Sequence, residues 1–373
     1  MAIFSVPLDV LRQRTSMKWT HYPPDVLPMW VAEMDCLPSP GVRRALAHAV
    51  EIGDLGYPGY DALPQAFIRF ARDWWNLDLD EQQVMPCSDV VGGMSELVDR
   101  LTSPGAEVVI ASPTYPPFRV TATTRGRRLV EVATTADGRL DLTALATAFA
   151  RDRVEAFLLC NPQNPHGTVP TLAELTALAR LAAEHGVRVI SDEIHAPLVA
   201  PGVVFTPYLS VPGTTNAYAV VSASKSFNLA ALKAGLLVAG AGAVDEMRSF
   251  PYEVQAGSSH LGLMLQAAAL DQDRDWLAQL NQEVAEHKQL LAELLAPLEL
   301  AYQPSQATYL AWVDASATGW ERPAEDLLER GRVAFNPGTD YGAGHASWVR
   351  VNLATSPELI QEGVRRVAVA LGR

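Results

Sequence analysis

The stretch from residue 155 to residue 191 constrains the fold more than any other part of the chain. Glu155–Cys160 (EAFLLC) is a short apolar run that ends in a loop rich in proline and asparagine, NPQNPHG. Thr171 and Glu174 then have the spacing of a capping box, in which each side chain satisfies a free backbone N–H of the other at a helix start. Leu172, Leu175, Leu178 and Leu181 supply an apolar stripe at helical spacing. Gly186 stops that helix, because glycine takes the left-handed conformation there without a Cβ clash. VRVIS (Val187–Ser191) reads as the next strand. A strand, a helix and a strand joined this closely imply parallel pairing with a right-handed crossover.

Further strands are predicted at Val108–Ala111, Leu129–Val132, Tyr218–Ser222 and Leu236–Ala239, after helices near residues 40–52, with Ser39 as cap, and 63–75. Residues 41–272 therefore read as a large α/β domain around a mainly parallel sheet. Beyond it, Trp276, Leu280, Val284, Leu291 and Leu294 mark a long helix ending before Pro297. Short strands follow at Leu298–Tyr302, Tyr309–Val313, Val333–Phe335 and Trp348–Val351, and Ser356-Pro357 opens a last helix. Residues 273–373 thus read as a smaller α+β domain.

Composition excludes several classes. Hydrophobic residues make up 49% of the 373, too many for a disordered chain. The net charge of −13 is wrong for a partner of the nucleic-acid backbone. The longest run without a polar side chain, Ala234–Val244, is far short of a membrane span. No basic residue precedes the first apolar stretch and Asp9 interrupts it, so the N-terminus does not read as a secretory signal, and a cytoplasmic location is expected. The three cysteines, Cys36, Cys87 and Cys160, have no CxxC spacing and suggest neither a disulfide framework nor a metal site. GxxxxGK[ST], GxSxG and HExxH are absent, and Gly240-Ala-Gly242 lacks the third glycine of a dinucleotide fingerprint.

What remains is a set of polar residues at strand ends, where open parallel sheets gather ligands. The strand Val187–Ser191 runs into Asp192-Glu193-Ile194-His195, Glu155–Cys160 into the loop carrying Asn164, and Tyr218–Ser222 into Ala223-Ser224-Lys225. Singly, Lys225 reads as a solvated loop lysine, Asp192 as a helix cap, Asn164 as a turn residue and His195 as a satisfied core histidine. Together they suit pyridoxal phosphate (PLP), which needs an amine for its aldehyde, a carboxylate for its pyridine nitrogen and donors for its phenolate and phosphate.

NPQNPHG, SDEIHAPL, SASKSFNLAALKAG and WVRVN occur in that order, with LPMWVAEMD, LGYPGY and ATYLAWVD around them. The set resembles the fold type I class I/II aminotransferase family, and within it the carbon–sulfur lyase branch, the cystathionine β-lyases of MalY and PatB type. The resemblance implies a large domain with a mainly parallel, seven-stranded sheet. Residues 1–40 would belong to the small domain and to dimer contacts.

It also implies roles. Lys225 would bond the PLP aldehyde, Asp192 would pair with the pyridine nitrogen, and Asn164 would bond the phenolate. His195 stands where transaminases usually place a tyrosine that reaches the phenolate, and Tyr115 would stack on the ring. The phosphate would lie at the helix start near Val90 and Val91, where free N–H groups and the dipole favour an anion. Ser222 and Lys233 would add side-chain donors, Tyr57 would reach the phosphate of a partner subunit in a homodimer, and Arg350 would clamp the substrate carboxylate. Two residues depart from the family pattern: Lys233 replaces the usual arginine, and Asp89 stands where small neutral residues are usual and is expected to point outward. The implied activity is β-elimination from cystathionine or a related S-substituted cysteine, giving a thiol, pyruvate and ammonia. An aminotransferase is the alternative, and a regulatory protein with residual lyase activity is the third reading.

Overall fold

The computed structural model describes residues 2–373. Its central sheet has 7 strands, in the order Val84–Cys87, Gly235–Ala239, Tyr218–Val221, Arg188–Asp192, Val154–Cys160, Glu107–Ser112 and Arg128–Ala133. Gly235–Ala239 runs antiparallel to both of its neighbours, and the other pairs are parallel. The central strands are buried on both faces, as a parallel sheet covered by helices requires. Alternation along them divides the side chains. Val108, Ile110, Ala156 and Leu158 pack with Met94, Leu97 and Val98 of the helix Val90–Leu101, on one face. Val109, Phe157 and Leu159 meet Leu145 and Phe149 of Leu142–Phe149 and Leu175 and Leu178 of Leu172–His185, on the other.

Leu172–His185 forms as its sequence dictates. Thr171 Oγ1 accepts the Glu174 N–H at 3.2 Å, Glu174 Oε2 accepts the Thr171 N–H at 2.7 Å, and Gly186 closes the helix at φ 68°. The unit therefore carries Cys160 and Asp192 to the same rim of the sheet, where the two residues pair in register.

A second lobe is built on a 3-stranded antiparallel sheet, Asn336–Pro337, Trp348–Asn352 and Leu310–Asp314. Its core includes Leu359, Ile360, Val364 and Val367 of the helix Pro357–Ala370, and takes in Val6, Leu11, Leu27 and Met29 from the N-terminal segment. The long helix Arg274–Leu295 joins the lobes: Leu277, Leu280 and Val284 pack with the large one, Leu291 and Leu295 with the small one. The strand expected at Leu298–Tyr302 does not form. Pro297 sits in a short 3-10 turn, Ala296–Leu298, and Glu299 adopts φ 60°, which breaks the extended run. A single bridge between Ala301 and Asp314 is what survives. Among the described residues no helix is long and apolar enough to cross a membrane.

Candidate active site

The rim of the large sheet delivers its polar residues into one cleft. Asp192 ends the strand Arg188–Asp192, and its Oδ1 accepts the Ile194 N–H at 3.0 Å. Lys225 follows the strand Tyr218–Val221, and its Nζ donates to Ala32 O at 3.0 Å. Asn164 lies in the loop after Val154–Cys160, Tyr115 follows Glu107–Ser112, and Val90 and Val91 open the helix after Val84–Cys87. With His195, Lys233 and Arg350 they line a cleft of about 1020 Å³.

Arg350 comes from the other lobe. It lies on the strand Trp348–Asn352 opposite Trp312, buried, with Tyr341 5.0 Å beneath its guanidinium. Its hydrogen bonds all go to neutral oxygens: Asn164 Oδ1 at 3.2 Å, Trp30 O at 3.2 Å and Asn336 Oδ1 at 3.4 Å. Its Nε is buried without a partner. A buried guanidinium met only by dipoles favours an incoming carboxylate, and its planar fork matches one. The bond to Asn164 has a second effect. It occupies the amide oxygen and leaves the amide N–H2 as the group Asn164 can offer the cleft.

Burial dominates the protonation states here. It lowers Lys225 to about 8, helped by the Arg350 charge and opposed by Glu33 and Asp192. Burial raises Asp192 to about 7, against the Ile194 N–H and the Lys225 charge. Burial also lowers His195 to about 3, reinforced by Lys225 and Arg350, so its imidazole is neutral near neutral pH. Its Nδ1 is buried without a partner. The cleft therefore holds an amine that is partly free near pH 8, a carboxyl that gains from a cationic partner, and two unsatisfied polar nitrogens. That inventory fits PLP bearing an amino acid.

Two residues, Ser222 and Asp89, stand elsewhere than expected. Ser222 is turned into the core: its hydroxyl donates to Ala234 O at 2.8 Å and accepts the Ser224 N–H at 3.1 Å. Tyr57 is fully exposed, on the bend between helices Pro40–Ile52 and Ala62–Trp75, and does not line this chain's own cleft. Asp89 does not point outward. It lines the cleft and caps the helix, accepting the Gly92 N–H at 2.7 Å on Oδ1 and the Lys233 ammonium at 2.7 Å on Oδ2. The reason is its place as the residue before the first helical turn, where a carboxylate is drawn to free N–H groups.

Other participants were not singled out in the sequence. Ala32 O takes both Lys225 and, at 3.2 Å, the Tyr309 hydroxyl. Asn228, at φ 57°, clamps Met34 by both backbone groups, and Asn352 Nδ2 binds Val31 O and Glu33 O. The segment 30–34 is thus seated on side chains of both lobes. The signal was present in LPMWVAEMD, but it concerns carbonyls, which any sequence would carry.

The family model described as aminotransferase class I and II matches residues 26–367. The chain belongs to that family. Among its relatives in this class I and II family, a Mycobacterium leprae protein named "Putative cystathionine beta-lyase" is 43% identical, covering 98% of this chain and 96% of its own length. The cystathionine β-lyase of Corynebacterium glutamicum is 32% identical, over 98% of this chain and 99% of its own. A solved structure, that of a "putative plp-dependent beta-cystathionase" from Corynebacterium diphtheriae, is also 32% identical. It superposes with a TM-score of 0.95 and covers 100% of this chain and 99% of that one. These relatives put the chain in the carbon–sulfur lyase branch of the family.

Proposed function

We propose that this chain is a PLP-dependent carbon–sulfur β-lyase that cleaves cystathionine or a related S-substituted cysteine to a thiol, pyruvate and ammonia. The observation that carries it is the convergence of Lys225, Asp192 and Arg350 on one cleft from two lobes. PLP, when bound, supplies an aldehyde that bonds amines and a ring that accepts electrons.

This chain's residues do the rest. Lys225, with an amine that loses its proton near pH 8, would hold the cofactor through its aldehyde and would act as the base that takes the substrate α-proton. Asp192 would keep a proton on the pyridine nitrogen, since a cation beside the buried carboxyl favours its ionised form. The Asn164 amide would donate to the phenolate, and neutral His195 lines the same cleft as a second hydrogen-bonding group. Arg350 binds the substrate carboxylate, which fixes the α-carbon relative to Lys225. Tyr115 would cover the ring, and the Val90 and Val91 amides with Lys233 would receive the phosphate, all from the lining of the same cleft.

A homodimer belongs to this reading, in which Tyr57 of each subunit completes the site of the other. Supporting it, Val50, Ile52, Leu55 and Tyr57 form an exposed apolar run, and Tyr252 is exposed as well. The cytoplasm is the proposed compartment. The test of the activity is to supply cystathionine with no keto-acid acceptor. Repeated turnover to thiol and pyruvate is expected, and a halt after one equivalent per subunit would make the chain an aminotransferase.

A further inference from the structure

The helix Val90–Leu101 begins at the cleft wall, where its first N–H groups and its dipole would draw an anion. An anion is already built in. Asp89 Oδ1 holds the Gly92 N–H and Asp89 Oδ2 holds the Lys233 ammonium, both at 2.7 Å, and both residues line the cleft that contains Lys225. Arg125, another cation along this wall, is itself bound to Asp99. Lys233 is therefore the ammonium at this end that could change partners.

We propose that Asp89 competes with the PLP phosphate for Lys233 and the helix start, so that it sets the affinity for the cofactor. The inference rests on the functional reading above. The ion pair is weak enough to be exchanged, because the Lys233 side chain is 61% exposed and its charge is well solvated. A phosphate brings nearly two negative charges and three strong acceptor oxygens. Lys233 would pass from carboxylate to phosphate, after which the carboxylate, without its ammonium partner, would remain near the phosphate as a like charge. Asp89 is a positioning residue: it acts through Lys233 and the N–H groups, not on substrate.

The test is equilibrium titration of the full chain, after removal of cofactor, with PLP and with pyridoxal, which lacks the phosphate. Asp89→Asn keeps the helix cap, since asparagine accepts the same N–H. It is expected to tighten PLP binding roughly five- to tenfold, the effect of removing one like charge at close range in a solvated site. Pyridoxal binding should be unchanged. Lys233→Met should weaken PLP binding, and more severely in the Asp89→Asn background, where Lys233 has no other partner. Wild-type protein that binds PLP while Asp89→Asn binds it equally or more weakly overturns the inference alone. Equal tightening for pyridoxal also overturns it. Wild-type protein that takes up no PLP overturns the functional reading and the inference with it.

Discussion

Arg350 Nη1 donates to Asn164 Oδ1 at 3.2 Å, and this bond spans the two lobes. One partner lies on the small antiparallel sheet and the other in a loop of the large sheet, 186 residues away in sequence. The two side chains that the proposed function assigns to the substrate carboxylate and the cofactor phenolate thus orient each other.

Arg350→Gln should raise KM for cystathionine and lower kcat/KM, by an amount equivalent to about 2–5 kcal/mol, as expected when one partner of a buried charged pair is lost. Circular dichroism should show the fold retained, since Arg350 pairs with no carboxylate that would be stranded. Steady-state kinetics with an unchanged KM would show that the carboxylate binds elsewhere.

Asp192 gives a prediction about stability that is independent of activity. Burial holds its folded pKa near about 7, above the ordinary 3.8, so the folded state binds that proton more tightly than the unfolded state. Its contribution is therefore most favourable below pH 4 and is lost as pH rises through 7. Asp192→Asn should match or exceed wild-type Tm without cofactor, with the advantage growing from pH 4 to pH 7 and flat above. Its lyase activity with PLP should fall about a hundredfold or more, because the ring loses the charge that retains its proton. Thermal melts across pH and pyruvate release check the two halves separately.

Capture of PLP by the cofactor-free chain needs the neutral amine of Lys225. With the Lys225 pKa lowered to about 8, the capture rate should climb with pH and level off above that value. Stopped-flow absorbance would measure it. A rate still climbing tenfold per unit toward pH 10 would mean an amine of ordinary basicity.

The shared site can be tested by mixing two defective proteins. Lys225→Ala and Tyr57→Phe are each expected to be impaired, the second through weaker phosphate binding. In a mixed dimer one site carries both defects and the other carries neither, so activity should return after subunit exchange. Failure to recover after exchange is confirmed by native mass spectrometry would show that each chain completes its own site.

The strand–helix–strand unit was legible because several local signals agree there: the capping box, the αL glycine and an apolar run of strand length. Elsewhere the signals conflict. Val84–Cys87 contains Pro86 within four residues, which reads as a loop, yet it pairs along the sheet edge with Gly235–Ala239. His260–Gln272 carries buried residues around most of its circumference, so it has no one-sided stripe to find. For the site, sequence placed Lys225, Asp192 and Asn164 at strand ends but said little about where side chains point. Ser222 and Asp89 show the difference: one is consumed by Ala234 O and Gln266, the other is drawn in by a helix start.

Everything proposed for the cleft depends on Lys225 being the amine that bonds the PLP aldehyde. Borohydride reduction of the PLP-loaded protein, followed by proteolysis and peptide mapping, addresses that directly. The reduced cofactor should be found on the peptide containing Lys225, with no comparable label at Lys233 or Lys18 and none in Lys225→Ala. Label recovered at another lysine, or equal labelling of Lys225→Ala, would contradict the assignment.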